Sequence, residues 1–337
     1  VVTSAIRRLY CLNFDFDHQG RKMNQLMFIL LISVVLLLIL SVAALYFLYA
    51  PLPKLPVLTA VAEPKILKAG NHERTYLSYV PEKRQARPAL VIALHGTGMN
   101  AVKMRQWTGY EFDRLADQQG FIVAYPDGYK GNWNDCRKDS PFAAKSENIN
   151  DVDFVSELAA LYEMEHQVDP DKVFVFGFSN GGQMAFRLAT EKPQIFNAIA
   201  AAGANLPTAE TFICKADGLT SRILLFAGTN DPISPYNGGV VSLFGVKRVG
   251  TAVSAQDTAL HFAQRNDLNS REPVKENIAD QVSRQTWKRN GADTVSLVSL
   301  AHGGHVIPQP FYRFPRIMGK THPFNSPLAA IEFFELI

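Results

Sequence analysis

A chain of 337 residues, 47% hydrophobic and 19% charged, holds enough apolar material for one large globular domain or two small ones. Its 34 Lys and Arg against 31 Asp and Glu leave a formal charge of +3, with no basic stripe, so neither nucleic acid nor a strongly acidic substrate is expected as a partner. The three cysteines, Cys11, Cys136 and Cys214, fall in no C-x-x-C and no zinc spacing, so no metal site is expected from them.

The sequence starts at Val1, and Met23 reads as an alternative start, so residues 1–25 are either a cytoplasmic segment or a spurious extension. Residues 26–50, from Leu26 to Ala50, are apolar apart from Ser33, Ser41, Tyr46 and Tyr49. That length crosses a bilayer as a helix. The competing reading is a cleaved signal peptide with its site near Val42-Ala43-Ala44, although Pro51 is a poor cleavage neighbour. Arg7, Arg8, Arg21 and Lys22 precede the segment, and Lys54 is the nearest charge after it. Positive charge stays cytoplasmic, so the residues after 51 are expected outside, periplasmic or at the cell surface. They are secreted if the segment is cleaved. Residues 51–70 open on Pro51-Leu52-Pro53-Lys54-Leu55-Pro56 and read as a stiff linker. Residues 71–337 read as the catalytic domain.

Within that domain, Thr75–Val80 alternates as a first strand. The apolar run Ala89–Leu94 breaks into His95-Gly96-Thr97-Gly98, as a buried parallel strand does. Met104–Gln119 has helical spacing, and Phe121–Pro126 is a second buried strand. Residues 127–150 lack periodicity and form a loop long enough to carry function. Asp151 opens a helix with Val152, Val155, Leu158, Ala159 and Tyr162 on one face. Further strands are expected over Val173–Phe176, Ala198–Ala202, Ile223–Ala227 and Val295–Leu300. Helices are expected over Thr251–Asn266 and from Asn325 or Ser326 to Ile337. Strands alternating with helices, without repeats, predict one doubly wound α/β domain with a mostly parallel sheet.

The stretch that carries chemistry is Gly177-Phe178-Ser179-Asn180-Gly181-Gly182, placed between the strand Val173–Phe176 and a helical pattern from Gln183. G-x-S-x-G in that setting is a sharp turn that lifts the serine hydroxyl above the sheet edge. Two partners fall at later strand ends: Asp231, in Gly228-Thr229-Asn230-Asp231-Pro232, and His305, in Ala301-His302-Gly303-Gly304-His305. A serine needs a base to take its proton, and histidine does this near neutral pH. An aspartate would hold the imidazole in the right tautomer. His302 is the rival base. The backbone N–H groups of Thr97 and Asn180 are the expected oxyanion donors. His95, Trp133 and Tyr236 are candidate substrate contacts, and Trp133 also reads as local packing. Outside the cytoplasm, Cys136 and Cys214 are expected to pair as a disulfide.

These motifs, in this order, resemble the α/β-hydrolase esterases of the polyhydroxybutyrate depolymerase, feruloyl esterase and acetylxylan esterase family. The resemblance runs from about Arg74 to the end. It rests on Leu94-His95-Gly96-Thr97, Ala124-Tyr125-Pro126-Asp127-Gly128, Asn132-Trp133-Asn134, Asp151-Val152-Asp153-Phe154-Val155, the Gly177–Gly182 turn, Gly228–Pro232 and Gly303-Gly304-His305. It implies an α/β-hydrolase fold, here following the N-terminal transmembrane helix expected from residues 26–50, and a serine esterase without metal or cofactor. It also implies Ser179, Asp231 and His305 as a triad, and a small-molecule or oligomeric ester as substrate. Where relatives often read Gly-His-Thr-Trp-Pro, this chain has Gly304-His305-Val306-Ile307-Pro308. Alternative readings are a serine peptidase on the same fold and a non-catalytic binding module.

Overall fold

The computed structural model describes residues 27–215, 218, 220–268 and 272–337. Cys11, the four basic residues before the apolar segment, Met23 and Leu26 lie outside the described residues. The chain divides into two units, Val1–Tyr49 and Ala50–Ile337.

The described part of the first unit is α1 (Met27–Leu48), 22 residues of mean hydropathy 3.2. At 1.5 Å per residue it is about 33 Å long, against a hydrocarbon core of about 30 Å. Its side chains are exposed, and the Ser33 hydroxyl donates to the Ile29 carbonyl one turn back at 2.9 Å, so this polar group is satisfied within the helix. Length and composition make α1 a candidate membrane span or signal segment.

The second unit is an α/β sandwich. Its strands are β1 (Glu63–Ala69), β2 (His72–Tyr79), β3 (Leu90–Leu94), β4 (Ile122–Pro126), β5 (Val173–Phe178) and β6 (Ala198–Ala202). They continue with β7 (Arg222–Gly228), β8 (Gly239–Leu243), β9 (Lys247–Ala252), β10 (Val274–Ala279), β11 (Val282–Arg289) and β12 (Ala292–Leu300). Among the described residues, ten of these form one sheet in the order β1-β2-β4-β3-β5-β6-β7-β12-β11-β10, and β8 pairs with β9 alone. The middle of the sheet, β4 to β12, is parallel. An antiparallel pair closes each end.

The parallel strands read as unbroken apolar runs because both faces are covered. Along β3, Val91 and Ala93 face one core, and Leu90, Ile92 and Leu94 face the other. The first core also takes Met104 of α2 (Ala101–Trp107), Leu115 of α3 (Glu111–Gln119) and Ile331 of α8 (Ser326–Phe333). The second takes Val155 of α5 (Asp151–His166), Met184 of α6 (Asn180–Glu191) and Phe262 of α7 (Ala255–Arg265), while α4 (Ala143–Ser146) is a single turn in the long loop.

Several expected boundaries move. The linker expected to residue 70 stops early: β1 is already in the sheet, and Thr59 binds the Asp117 carboxylate through both its N–H and its hydroxyl. The helix expected over 104–119 is two helices, because Gly109 (φ 66°) and Tyr110 (φ 59°) turn left-handed between them. Ser254 caps α7 by accepting the Asp257 N–H at 2.9 Å, which moves its start to Ala255 and leaves Thr251 and Ala252 in β9. The last helix ends at Phe333 rather than at Ile337.

Candidate active site

The register of the sheet builds the site. Leu94 pairs with Gly177, Phe178 with Ala202, Ala202 with Phe226, and Leu300 with Gly228. The carboxyl ends of β3, β5, β6, β7 and β12 are therefore level, and the turns that follow them meet at one edge, where α/β folds gather their ligands.

Ser179 sits between β5 and α6 at φ 53° and ψ −116°, a conformation a non-glycine residue adopts only under constraint. The constraint is visible. A Cβ at Gly177 would collide with the Gly181 carbonyl, and one at Gly181 with the Leu94 carbonyl. Only glycines let the turn close this tightly against β3. The Ser179 N–H is tied to the Ala202 carbonyl at 2.9 Å.

His305 Nε2 lies 2.9 Å from Ser179 Oγ, and His305 Nδ1 lies 2.8 Å from Asp231 Oδ2. The other Asp231 oxygen accepts the N–H groups of Ile233 at 2.8 Å and Ser234 at 2.7 Å. The loops bearing the two residues are stitched together beyond the sheet. Thr229 N–H donates to the Leu300 carbonyl, and Asn230 N–H to the Gly303 carbonyl, both at 3.0 Å. The histidine backbone is pinned by its N–H on the Met318 carbonyl at 2.7 Å, and its ring packs on Phe178. His302, the rival base, is exposed and left-handed (φ 60°), with its N–H on the Thr229 hydroxyl. A carboxylate, an imidazole and a hydroxyl linked in this order can move the hydroxyl proton onto the ring while the carboxylate stabilises the charge that forms.

Thr97 and Asn180 line the same cleft as Ser179 and His305. The Asn180 side chain is clamped to the long loop: its Oδ1 accepts the Trp133 N–H at 2.8 Å, and its Nδ2 donates to Asp135 Oδ2 at 2.6 Å. Asp135 is in turn gripped by the Arg137 guanidinium in a buried ion pair, and Arg137 Nη1 reaches the Val249 carbonyl of β9 at 3.1 Å. Cys136, between them, is disulfide-bonded to Cys214, with the two Cα atoms 5.1 Å apart.

None of the three candidate substrate contacts lines the cleft with Ser179, which corrects the expectation for His95 and Tyr236 and agrees with the packing reading of Trp133. His95 is fully buried: its Nδ1 donates to the Gly96 carbonyl at 2.7 Å, and its Nε2 accepts the Gly128 N–H at 2.8 Å. Burial pushes its pKa below the ordinary histidine value. Trp133 is equally buried and donates its ring N–H to the His95 carbonyl at 2.9 Å. The Tyr236 and Ser299 hydroxyls are hydrogen-bonded to each other at 2.7 Å. All three brace the loops behind the cleft. The residues that line it include Arg137, Gln183, Val241, Leu243 and Val249, none singled out by the sequence. Gln183 had a signal, since it lies one helical step of four after Ser179. The β8–β9 wall had none.

Comparison with known proteins agrees with this architecture. The NocK protein of Nocardia uniformis subsp. tsuyamanensis, which carries an esterase name, is 26% identical over 290 residues, 81% of this chain and 82% of its own. A feruloyl esterase B of Neurospora crassa is 34% identical over 128 residues, 37% of this chain and 41% of that protein. An acetylxylan esterase of Coprinopsis cinerea is 30% identical over 149 residues, 43% and 39% of the two chains. The chain thus spans about two fifths of these last two relatives. The solved acetyl xylan esterase of Aspergillus awamori superposes on 82% of this chain and all of its own, with a TM-score of 0.56 at 16% identity, a likeness of fold. Residues 75–265, more than half of the sequence, match the Dienelactone hydrolase family, so this chain is a member of that family, an α/β-hydrolase enzyme among relatives that carry esterase names.

Proposed function

We propose that this protein is a serine esterase that cleaves carboxylic esters through an acyl-enzyme on Ser179. The observation that carries the reading is the hydrogen-bonded chain from Asp231 through His305 to Ser179. In the first step His305 Nε2 takes the Ser179 proton as Oγ attacks the ester carbonyl. Asp231 holds the Nδ1 proton and stabilises the imidazolium. The N–H groups of Thr97 and Asn180 take the oxyanion, aided by the positive end of α6. His305 then protonates the leaving alcohol, and water repeats the sequence to free the acid. The names of the relatives favour acetyl or feruloyl esters, and the motif resemblance adds hydroxybutyrate oligomers.

We also propose that α1 anchors the enzyme with its catalytic unit outside the cytoplasm. The four basic residues before α1 support this orientation. Cleavage of α1 would give a secreted enzyme instead. Protease access from outside the cell separates the two sides.

The chemistry is tested with the full chain. Ser179→Ala should lower kcat on a short aryl ester by at least about 10⁴-fold, because the triad acts as a unit. A serine-directed phosphonate should label Ser179 alone. A folded Ser179→Ala protein with unchanged turnover, or a label on another serine, removes the reading.

A further inference from the structure

Away from the cleft, Pro51, Leu52, Pro53 and Lys54 line one groove with Phe311, Tyr312 and Arg313 of the segment between β12 and α8. All of these residues belong to the second unit. The segment after α1 is no loose tether, because Ala50, Leu58, Ala60 and Ala62 pack on the first core. The segment between β12 and α8 alternates. Tyr312 and Phe314 are buried and pack on Trp107, whereas Phe311 and Arg313 are exposed. Gln309 holds that alternation in place. Its Oε1 accepts the N–H groups of Phe311 and Tyr312, and its Nε2 donates to the Tyr312 carbonyl.

Leu52 and Phe311 are 67% and 46% exposed, and apolar groups rimmed by polar ones mark a place of contact. Charge decides with what. Lys54 and Arg313 are exposed and have no hydrogen-bond or ion-pair partner among the described residues. The carboxylate that lines the groove, Glu111, is buried and bound by Arg114 at 2.5 Å. The open face is therefore apolar and positive. The head-group layer of an anionic bilayer takes up that combination, with rings at the apolar boundary and cations on phosphate. Reach agrees. Three peptide steps join Leu48, the end of α1, to Pro51, at most about 11 Å of chain. With α1 in a bilayer, Pro51 stays within that distance of the lipid. We propose that Leu52, Lys54, Phe311 and Arg313 form a docking face for the head groups of an anionic phospholipid bilayer, so that the catalytic unit is held on the lipid surface and not only tethered to it. This rests on α1 serving as the membrane anchor.

The full-length protein is reconstituted in vesicles of phosphatidylcholine and phosphatidylglycerol whose chains carry bromine just below the head groups. Bromine quenches a tryptophan that it touches, and the wild type gives the background of Trp107, Trp133 and Trp287. Phe311→Trp adds one emitter on the proposed face. Met164→Trp adds one at an exposed position of α5, whose helix packs on the second core. Brominated lipid should quench at least about half of the emission added by Phe311→Trp and under about a tenth of that added by Met164→Trp. Neutral phosphatidylcholine alone, or Lys54→Glu with Arg313→Glu added to Phe311→Trp, should lower the quenching at position 311 at least about threefold. Equal quenching at the two positions overturns the face. So does an absence of quenching at 311, which a protein partner or second copy seated in the groove would give. Quenching that persists in neutral lipid, or that survives the double substitution, overturns it as well. Flotation of the vesicles after an alkaline wash is read in parallel. A protein that floats without quenching at 311 leaves the anchor standing, and one that does not float removes both. The change of lipid decides the charge arm if the double variant does not fold.

Discussion

Asp113 shows what burial does to a single carboxylate. It is fully buried in α3, and it accepts from Arg105 Nε at 2.6 Å and from the Tyr125 hydroxyl at 2.7 Å. Burial outweighs both donors and pushes its pKa up to about 6. The folded state therefore holds this proton at pH values where the unfolded chain has lost it. The stability it contributes is full below the ordinary carboxylate range and is lost as pH rises through about 6. The effect is on the order of 2–3 kcal/mol. Thermal unfolding of the wild type and Asp113→Asn should show the wild-type advantage growing from pH 7 down to about 4.5. A pH-independent difference would contradict it. The meeting of Ser179, Asp231 and His305 was legible in the sequence, Ser179 from its glycine turn and the other two from the strand ends that carry them. His95 and Tyr236 do not line the cleft, because chain position does not say which way a side chain points, and Trp133 packs locally, as one of its two readings had it. Their partners, Gly128, the His95 carbonyl and Ser299, come from other elements.

Among the elements, the loop between β4 and α5 depends most on a covalent tie. The disulfide from Cys136 joins it to a segment 78 residues away, and Lys138 N–H and Ile213 N–H add backbone bonds on either side, to the Thr211 and Cys136 carbonyls. A cross-link over such a span is typically worth about 2–4 kcal/mol. Cys214→Ser should lower the melting temperature by roughly 5–10 °C. Because Asp135 and Arg137 flank the bond and Asp135 holds Asn180, turnover should fall too. Scanning calorimetry and ester kinetics check the two parts, and an unchanged melting point would remove the structural role. The buried parallel strands were readable as apolar runs, whereas β10 and β11 were not. Most of β10 is exposed, and β11 alternates poorly, with Arg284, Gln285, Lys288 and Arg289 among its residues. Likewise β8 and β9 carry glycines at Gly239 and Gly250 and no strong period.

At the scale of the whole molecule, the proposed orientation is tested from outside the cell. Protease added to intact spheroplasts should digest the chain beyond Pro51. Protection of that part would refute the proposed orientation, and a soluble product with its N-terminus near Leu45 would mean that α1 is removed. The doubly wound frame was legible because one strong periodicity alternates with another along 250 or so residues, as in many single α/β domains. The cleft was not, because its walls come from segments far apart in the chain. One of those walls, the β8–β9 hairpin, shares no ladder with the ten-stranded sheet among the described residues. It presents Val241, Leu243 and Val249 to the cleft, while Phe244 and Val246 at its tip are exposed. Its ties to the site are single bonds: Ser242 N–H on the Ile233 carbonyl at 3.2 Å, beside Asp231, and Arg137 Nη1 on the Val249 carbonyl at 3.1 Å. The hairpin is thus a lever on the site: lengthening its exposed tip between Leu243 and Lys247 should shift ester preference with the melting temperature kept, whereas breaking either bond should lower turnover itself.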